Sequence, residues 1–179
     1  YPGQGFLISA RNLNRIFLIG ESGDLKWSMG NDPSNTFALG FNENSMGLQH
    51  DAHLLPGNRV LLFDNQAYFR GYPTMAARPS KLKIVSLRED RAIVSWQRRL
   101  PMPGNPLRGS TDITAQGFVF AHLSGDGTDP ARFLEIEFQS GRIHAALNPS
   151  PTSSSRAVSA RPIDAIVDET FLNSRPEGL

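Results

Sequence analysis

Cysteine is absent from this chain of 179 residues. The absence excludes internal disulfide bonds and thiolate metal sites, although it does not fix the cellular compartment. No apolar run approaches the ~18 residues that a membrane-spanning helix needs, so no membrane span is predicted. Neither sign of charge dominates, because the net charge is +1 and no block of lysine or arginine stands out. A nucleic-acid partner is therefore not expected.

Two kinds of motif are missing as well. There is no Gly-rich loop of the G-x-x-x-x-G-K type, which argues against a nucleotide phosphate as ligand. The four histidines are scattered without the spacing of a zinc site, so we expect neither a metal nor a cofactor. The chain begins on Tyr1 rather than on methionine and shows no signal peptide, so we expect a processed or partial product.

Turn-forming residues are plentiful. The chain has 16 glycines and 13 prolines, and they are distributed between short apolar runs. This arrangement is typical of an all-β protein with many turns. Because 39% of the residues are hydrophobic, the chain can bury the core of one domain. The predicted fold class is therefore all-β.

A repeated unit, a short apolar strand followed by a two-stranded hairpin, occurs three times. The strands lie at residues 6–9, 60–63 and 117–120, and the hairpins at residues 16–27, 82–96 and 133–147. Such units are typical of β-propeller blades, which bury their faces by stacking around an axis. A β-sandwich is the alternative, because short strands with frequent turns suit it equally. We predict one propeller segment with blades at about residues 1–45, 46–100 and 111–150 and a tail at 151–179.

Some parts of the chain fall outside the repeated unit. Propellers usually have about four to eight blades, so we expect the remaining blades to come from an upstream segment or from another chain. Residues 101–114 are rich in proline, glycine and polar residues and are predicted to form a long surface loop. The apolar residues 163–167 predict a last strand or a helical turn.

One histidine stands at the head of a strand-turn-strand unit. The unit consists of Gln49-His50-Asp51-Ala52, the turn Pro56-Gly57-Asn58, and Leu62-Phe63-Asp64-Asn65. Histidine is the side chain best suited to nucleophilic or acid–base work near neutral pH, and strand ends are where such groups tend to lie. A histidine beside an aspartate is also often a structural hydrogen-bond partner, so the motif alone leaves both interpretations open.

The same residues resemble a known family. Residues 6–11, 16–19, 23–27, 49–52 and 62–65 are similar to segments of the arylsulfate sulfotransferase family. The resemblance covers residues 5–100 and then only the third hairpin and Ser155-Arg156-Ala157. It implies a β-propeller enzyme that moves a sulfuryl group between phenols without a nucleotide donor. Its partners would be aryl sulfates and small phenols, and its location would be periplasmic or secreted.

The resemblance also implies roles for individual residues. His50 matches the histidine that carries the sulfuryl group covalently, and Arg11 matches an arginine that contacts the sulfate. Asp64 and Asn65 match a structural motif that holds the loop after the histidine strand. Arg156 matches a short arginine motif of some relatives and is a candidate substrate-binding residue. A His-x-Asn element that precedes the arginine strand in the family is missing here.

The other histidines are weaker candidates. His122 follows the third inner strand, where it either faces the channel and binds substrate or caps a turn. His53 lies three residues after His50, and regular alternation along a strand would place it on the opposite face. The same alternation favours a backbone or turn role for Asp51, and His144 is expected to be solvated.

Three functions remain open at the level of sequence. The first is an aryl sulfotransferase that acts through a sulfohistidine at His50, with Arg11, His122 and Arg156 binding the substrate. The second is a non-catalytic propeller that serves as a binding or scaffold module, because a fold alone does not imply an activity. The third and weakest is a hydrolase in which water takes the sulfuryl group.

Overall fold

A computed structural model describes residues 1, 3–41, 44–66, 79–100, 109–114, 117–123 and 132–147. These residues form an all-β structure, which confirms the predicted fold class. The strands are β1 Phe6–Ala10, β2 Arg15–Ile19, β3 Leu25–Gly30, β4 Phe37–Ala38, β5 His50–Leu55, β6 Arg59–Asp64, β7 Lys81–Arg88, β8 Arg91–Arg99, β9 Ser110–Ile113, β10 Phe118–Leu123, β11 Arg132–Glu137 and β12 Ile143–Leu147. A short 3₁₀ helix, Arg11–Leu13, connects β1 to β2.

The strands form three antiparallel meanders. The first meander is β1–β3, the second is β5–β8 and the third is β9–β12. The short strand β4 pairs in parallel with β3 and with β8, so the first two meanders belong to one eight-stranded sheet. The third meander is a separate four-stranded sheet. Strand β5 lies against both β1 and β9, so the first strands of the three meanders are neighbours.

The second meander is buried on both of its faces. Val60 and Leu62 of β6 join the first core, which lies between the first and second meanders. Leu61 and Phe63 join the second core, which lies between the second and third meanders. Because successive side chains of a strand point to opposite faces, a strand with two apolar neighbours must be an almost continuous apolar run. This requirement explains the composition of β6.

The predicted hairpins correspond to β2–β3, β7–β8 and β11–β12, whereas the predicted loop at 101–114 is wrong in part. Ser110–Ile113 forms β9 and pairs with β10, and Ser110 and Thr111 are fully buried. Three of the four residues of β9 are polar, so the sequence of this segment does not show the apolar pattern that predicts a strand. Backbone pairing with β10 gives β9 its place in the sheet. Residues 101–108 and 148–179 lie outside the described part, as does the prediction for 163–167.

None of the helices in the described residues has the length and apolarity needed to cross a membrane. The blade boundaries predicted from the sequence remain a prediction.

Candidate functional site

His50 is the first residue of β5 and is partly exposed. Its Nδ1 lies 2.8 Å from Oδ1 of Asn65, which follows the end of the neighbouring strand β6. An amide oxygen only accepts hydrogen bonds, so the ring proton resides on Nδ1. Nε2 then keeps its lone pair in the neutral imidazole. Asn65 thus selects the tautomer in which Nε2 is the nucleophilic atom.

A β-bulge follows His50 and changes the direction of the next side chains. His50 pairs with Phe63 and His53 pairs with Leu61, so two residues of β5 oppose one residue of β6. Asp51, one of these two residues, has a positive φ of 49°. Phe63 and Leu61 share one face of β6, so His50 and His53 also share a face. The prediction that His53 points to the opposite face is therefore wrong, because it assumed regular alternation.

Asp51 connects the bulge to the third meander. Its Oδ2 accepts a hydrogen bond of 2.7 Å from the backbone N–H of Thr111, and its Oδ1 lies 3.2 Å from Nε2 of His53. The backbone role predicted for Asp51 therefore agrees with the structure. Burial acts to lower the pKa of His53, but the hydrogen bond and charge of Asp51 and the charge of Asp112 outweigh it, and the pKa is raised. The hydrogen bond from Thr111 to Asp51 therefore joins the second and third meanders beside His50, and the ion pair of Asp51 with His53 lies within β5.

The segment that precedes His50 is docked on the turn that carries Arg11. Asn14, which ends the 3₁₀ helix, accepts a hydrogen bond of 2.6 Å from the backbone N–H of Leu48. Gln49 is fully buried, and its Nε2 donates to the carbonyl oxygen of Arg15 at 3.0 Å. The same amide nitrogen lies 3.4 Å from the hydroxyl oxygen of Ser9. These contacts hold the His50 strand against the turn formed by Arg11–Leu13.

Arg11 itself is partly exposed on that turn. Its Nη1 donates a hydrogen bond of 2.8 Å to Oδ1 of the adjacent Asn12. Because the guanidinium is always charged, the turn places a permanent cation on the part of the first meander that contacts the His50 segment. The structure thus brings together the elements that carry Arg11 and His50.

A buried ion pair fixes the loop before His50. Nζ of Lys83 lies 2.7 Å from Oδ2 of Asp64, and both side chains are fully buried. Asp64 Oδ1 also accepts the backbone N–H of Gly47 at 2.9 Å, while Lys83 Nζ donates to the carbonyl oxygens of Asn44 and Ser45 at 3.0 and 2.9 Å. Buried charges need such complete hydrogen bonding. Asp64 therefore holds the loop before the histidine strand, whereas the resemblance implied the loop after it.

Backbone strain is concentrated around this site. Six non-glycine residues of the described part have a positive φ, and four of them contact or flank the His50 segment. The four are Asn14, Leu48, Asp51 and Gln66, with φ values of 48°, 54°, 49° and 50°. Non-glycine residues rarely adopt this conformation, and it persists where the surroundings impose it, often at functional sites.

His122 is not brought to His50. His122 lies in β10 between Ala121 and Leu123, which belong to the second core. Its ring therefore points to the opposite face of the third meander, where it stacks on Phe133 at 4.7 Å and 21°. The proposed substrate role of His122 stays a prediction, and Arg156 lies outside the described residues.

Sequence reasoning missed three supporting residues. Gln49 was recognised only as part of the histidine motif, and Asn14 gave no signal because it lies 34 residues from its partner Leu48. Lys83 did give a signal, since a lysine inside the apolar strand β7 must find a charged partner if it is buried. Within the described residues, no three His, Asp or Glu side chains are grouped so that they could hold a metal ion.

No protein-family model matches this chain, and a search of curated proteins gave no significant match. The function must therefore be argued from the chemistry of the His50 site.

Proposed function

We propose that this protein is an aryl-sulfate sulfotransferase in which Nε2 of His50 carries the sulfuryl group. The observation that supports the proposal most directly is the contact between His50 Nδ1 and Asn65 Oδ1 at 2.8 Å. It orients the ring and selects the neutral tautomer in which Nε2 carries the lone pair, as a nucleophilic histidine requires. The partly exposed position of His50 gives a substrate access to the ring.

The proposed reaction has two half-reactions. In the first, Nε2 attacks the sulfur of an aryl sulfate, an N–S bond forms, and the ester S–O bond breaks with its electron pair leaving on the phenolate oxygen. In the second, an acceptor phenol gives up its proton, which the phenolate released in the first half-reaction takes up through the solvent; its oxygen attacks the same sulfur, and the N–S electron pair returns to Nε2. The net result is exchange of a sulfuryl group between two phenols, so no nucleotide donor is required.

Arg11 is the proposed partner of the sulfuryl oxygens. Transfer of a sulfuryl group resembles transfer of a phosphoryl group, in which positioning and stabilisation of negative charge provide most of the catalysis. A guanidinium offers a planar set of donors to such oxygens. Support for this role comes from Gln49 and Asn14, because their hydrogen bonds join the His50 segment to the turn of Arg11.

We also propose that the three meanders are blades of a larger β-propeller. Two features support this arrangement: the first strands of the meanders adjoin one another, and the second meander is buried between its two neighbours. The outer face of the first meander exposes Phe6, Ile8 and Leu25 by 62%, 47% and 56%. Apolar residues on both faces are typical of a strand that is covered on both sides, so a further blade would pack there. That blade would come from an upstream segment or from another chain.

A non-catalytic binding or scaffold module is the second candidate. It is favoured by the same hydrogen bond, since a structural histidine also satisfies a ring nitrogen with a neighbouring amide. The two candidates differ in whether Nε2 forms a covalent bond to sulfur.

The test uses 4-nitrophenyl sulfate as donor and phenol as acceptor, and it follows the release of 4-nitrophenolate. We expect His50→Ala to lower the rate by about a thousandfold or more, because the nucleophile is lost. The matched control is His144→Ala, since His144 is exposed and lies on the third meander. Intact-mass analysis of the wild type after exposure to donor alone should show the added sulfuryl group. Unchanged turnover in His50→Ala would remove His50 from the mechanism.

A further inference from the structure

A cavity of about 450 Å³ lies between the second and third meanders. Five of the residues that line it have apolar side chains, and two have side chains that can donate hydrogen bonds. The apolar residues are Leu55, Pro56, Ile84, Ile113 and Phe138, and the donors are Arg59 and Thr114. Leu55 is the last residue of β5, whereas His50 is the first. At about 3.3 Å per residue, the cavity is about 15 Å from the His50 end of the strand. It is therefore separate from the site described above.

Arg59 lies at the wall of this cavity, at the end of the turn between β5 and β6. Its Nε donates a hydrogen bond of 2.9 Å to the carbonyl oxygen of Pro56. Gly57 and Asn58, which complete the turn, both have positive φ, of 76° and 53°. The hydrogen bond to Pro56 involves only Nε, so the two terminal nitrogens of the guanidinium remain available to a ligand. Among the described residues, no carboxylate lies within ion-pair distance of Arg59.

Thr114 adds a neutral donor to the same cavity. Its Oγ1 accepts a hydrogen bond of 3.2 Å from the backbone N–H of Phe118. The hydroxyl hydrogen remains able to donate, because a hydroxyl has one donor and two acceptor positions. Arg59 and Thr114 thus present donors to a cavity whose other described lining residues include no carboxylate: Leu55, Pro56, Ile84, Ile113, Gly117 and Phe138.

We propose that this cavity binds a small aromatic monoanion, such as an aryl carboxylate or sulfate. The aromatic ring packs between Ile113 and Phe138 over Leu55 and Ile84, and the anionic group is bound by the terminal nitrogens of Arg59. The volume lies within the range of ligand pockets, and an apolar pocket with a few polar groups is the usual form of such sites. The inference does not depend on sulfuryl transfer at His50.

The first experiment titrates the wild-type protein with 4-(trifluoromethyl)benzoate and follows its ¹⁹F NMR signal. We expect saturable binding at this cavity with a Kd on the order of 0.1 to 1 mM, as is usual for a ligand of this size. The uncharged 4-(trifluoromethyl)benzamide should bind at least about tenfold more weakly, because it lacks the charge that pairs with Arg59. Backbone amide shifts should change at Thr114 and Gly117, which line the cavity. No saturable binding, or equal binding of the amide, would overturn the proposal.

The second experiment compares two arginine variants. Arg59→Gln should weaken binding of the benzoate by about tenfold or more, while Arg88→Gln should leave it within about twofold. Arg88 is a suitable control because it is exposed at the end of β7. Equal losses in both variants would show unspecific charge attraction and refute the site. His50→Ala should bind the benzoate like the wild type, so failure of the proposed enzyme activity and failure of this inference are distinguishable.

Discussion

Two regions of this protein bury polar groups in opposite ways. In the second meander, Asp64 and Lys83 are fully buried, and together they bond to one another and to the backbone of the loop before His50. In the third meander, His122 is equally buried and stacks on Phe133, and neither ring nitrogen has a hydrogen-bond partner within the described residues. Burial of a polar residue alone is therefore a poor guide to a site.

The difference lies in what each region holds in place. Burial of the ion pair between Asp64 and Lys83 costs desolvation free energy. Its main effect is to fix the position of the loop before His50, so it specifies geometry more than it adds stability. His122 specifies nothing comparable: burial lowers its pKa, and the neutral ring behaves as an aromatic packing residue. The region that fixes geometry is the one that adjoins His50.

Loss of one partner of the buried pair should have the largest effect on stability. Lys83→Met leaves the carboxylate of Asp64 buried without its cation, which we expect to cost about 3 to 5 kcal/mol of unfolding free energy. Urea denaturation measures this cost. The control is Lys81→Met, two residues earlier and only half-buried, for which less than about 1 kcal/mol is expected. Similar losses in both variants would contradict the anchoring role of Lys83.

Removal of the amide that orients His50 should have the next largest effect. Asn65→Ala frees the ring of His50 to adopt either tautomer, so we expect the turnover of 4-nitrophenyl sulfate to fall by about 10- to 100-fold. Asn65→Asp retains an oxygen acceptor at the same position and should recover part of the loss. The ¹⁵N shifts of the His50 ring report the tautomer directly. Retention of the Nδ1–H form in Asn65→Ala would contradict the role given to Asn65.

Replacement of the unpaired histidine should have a smaller effect. His122→Phe removes no hydrogen bond among the described residues and retains the stacking on Phe133, so we expect stability to change by less than about 1 kcal/mol. Denaturation at pH 7.5 measures the change. A loss as large as that of Lys83→Met would show that His122 also holds a polar network.

The smallest predicted effects are on the pH dependence of stability, and they have opposite signs. His53 has a raised pKa, so its contribution to the free energy of unfolding is fully present below the ordinary pKa of 6.5. That contribution is lost as the pH rises through the folded-state pKa. His122 has a lowered pKa, so its burial opposes folding as the pH falls below 6.5.

Urea denaturation between pH 5 and pH 8 separates the two histidines. His53→Gln should remove stability preferentially at low pH, whereas His122→Phe should restore it there. We expect each change to be below about 1 kcal/mol. Parallel slopes in the two variants would contradict this assignment.

The sequence predicted what depends on local patterns. Apolar runs and turn residues located β2, β6 and β7, and the position of His50 at the head of a strand was also correct. The bulge at Asp51 was not predictable from alternation, because an extra residue in one strand becomes visible only against its partner strand. Likewise, β9 has too few apolar residues to give a strand signal.

The candidate site depends more on contacts between distant residues. The hydrogen bond from Leu48 to Asn14 joins residues 34 positions apart, and that from Thr111 to Asp51 joins residues 60 positions apart. No periodicity encodes such pairs. A buried lysine within a strand did indicate that a carboxylate must lie nearby, but it did not indicate which one.

The bond from Gly47 to Asp64 has a consequence for local opening. Because the loop is attached to a carboxylate of β6, it cannot detach without exposing that carboxylate and the ammonium of Lys83. Loops usually exchange their amide hydrogens through low-energy fluctuations of their own, but this one should exchange only when the second meander unfolds. For the proposed sulfuryl transfer at His50, this loop would therefore be in place before a substrate binds.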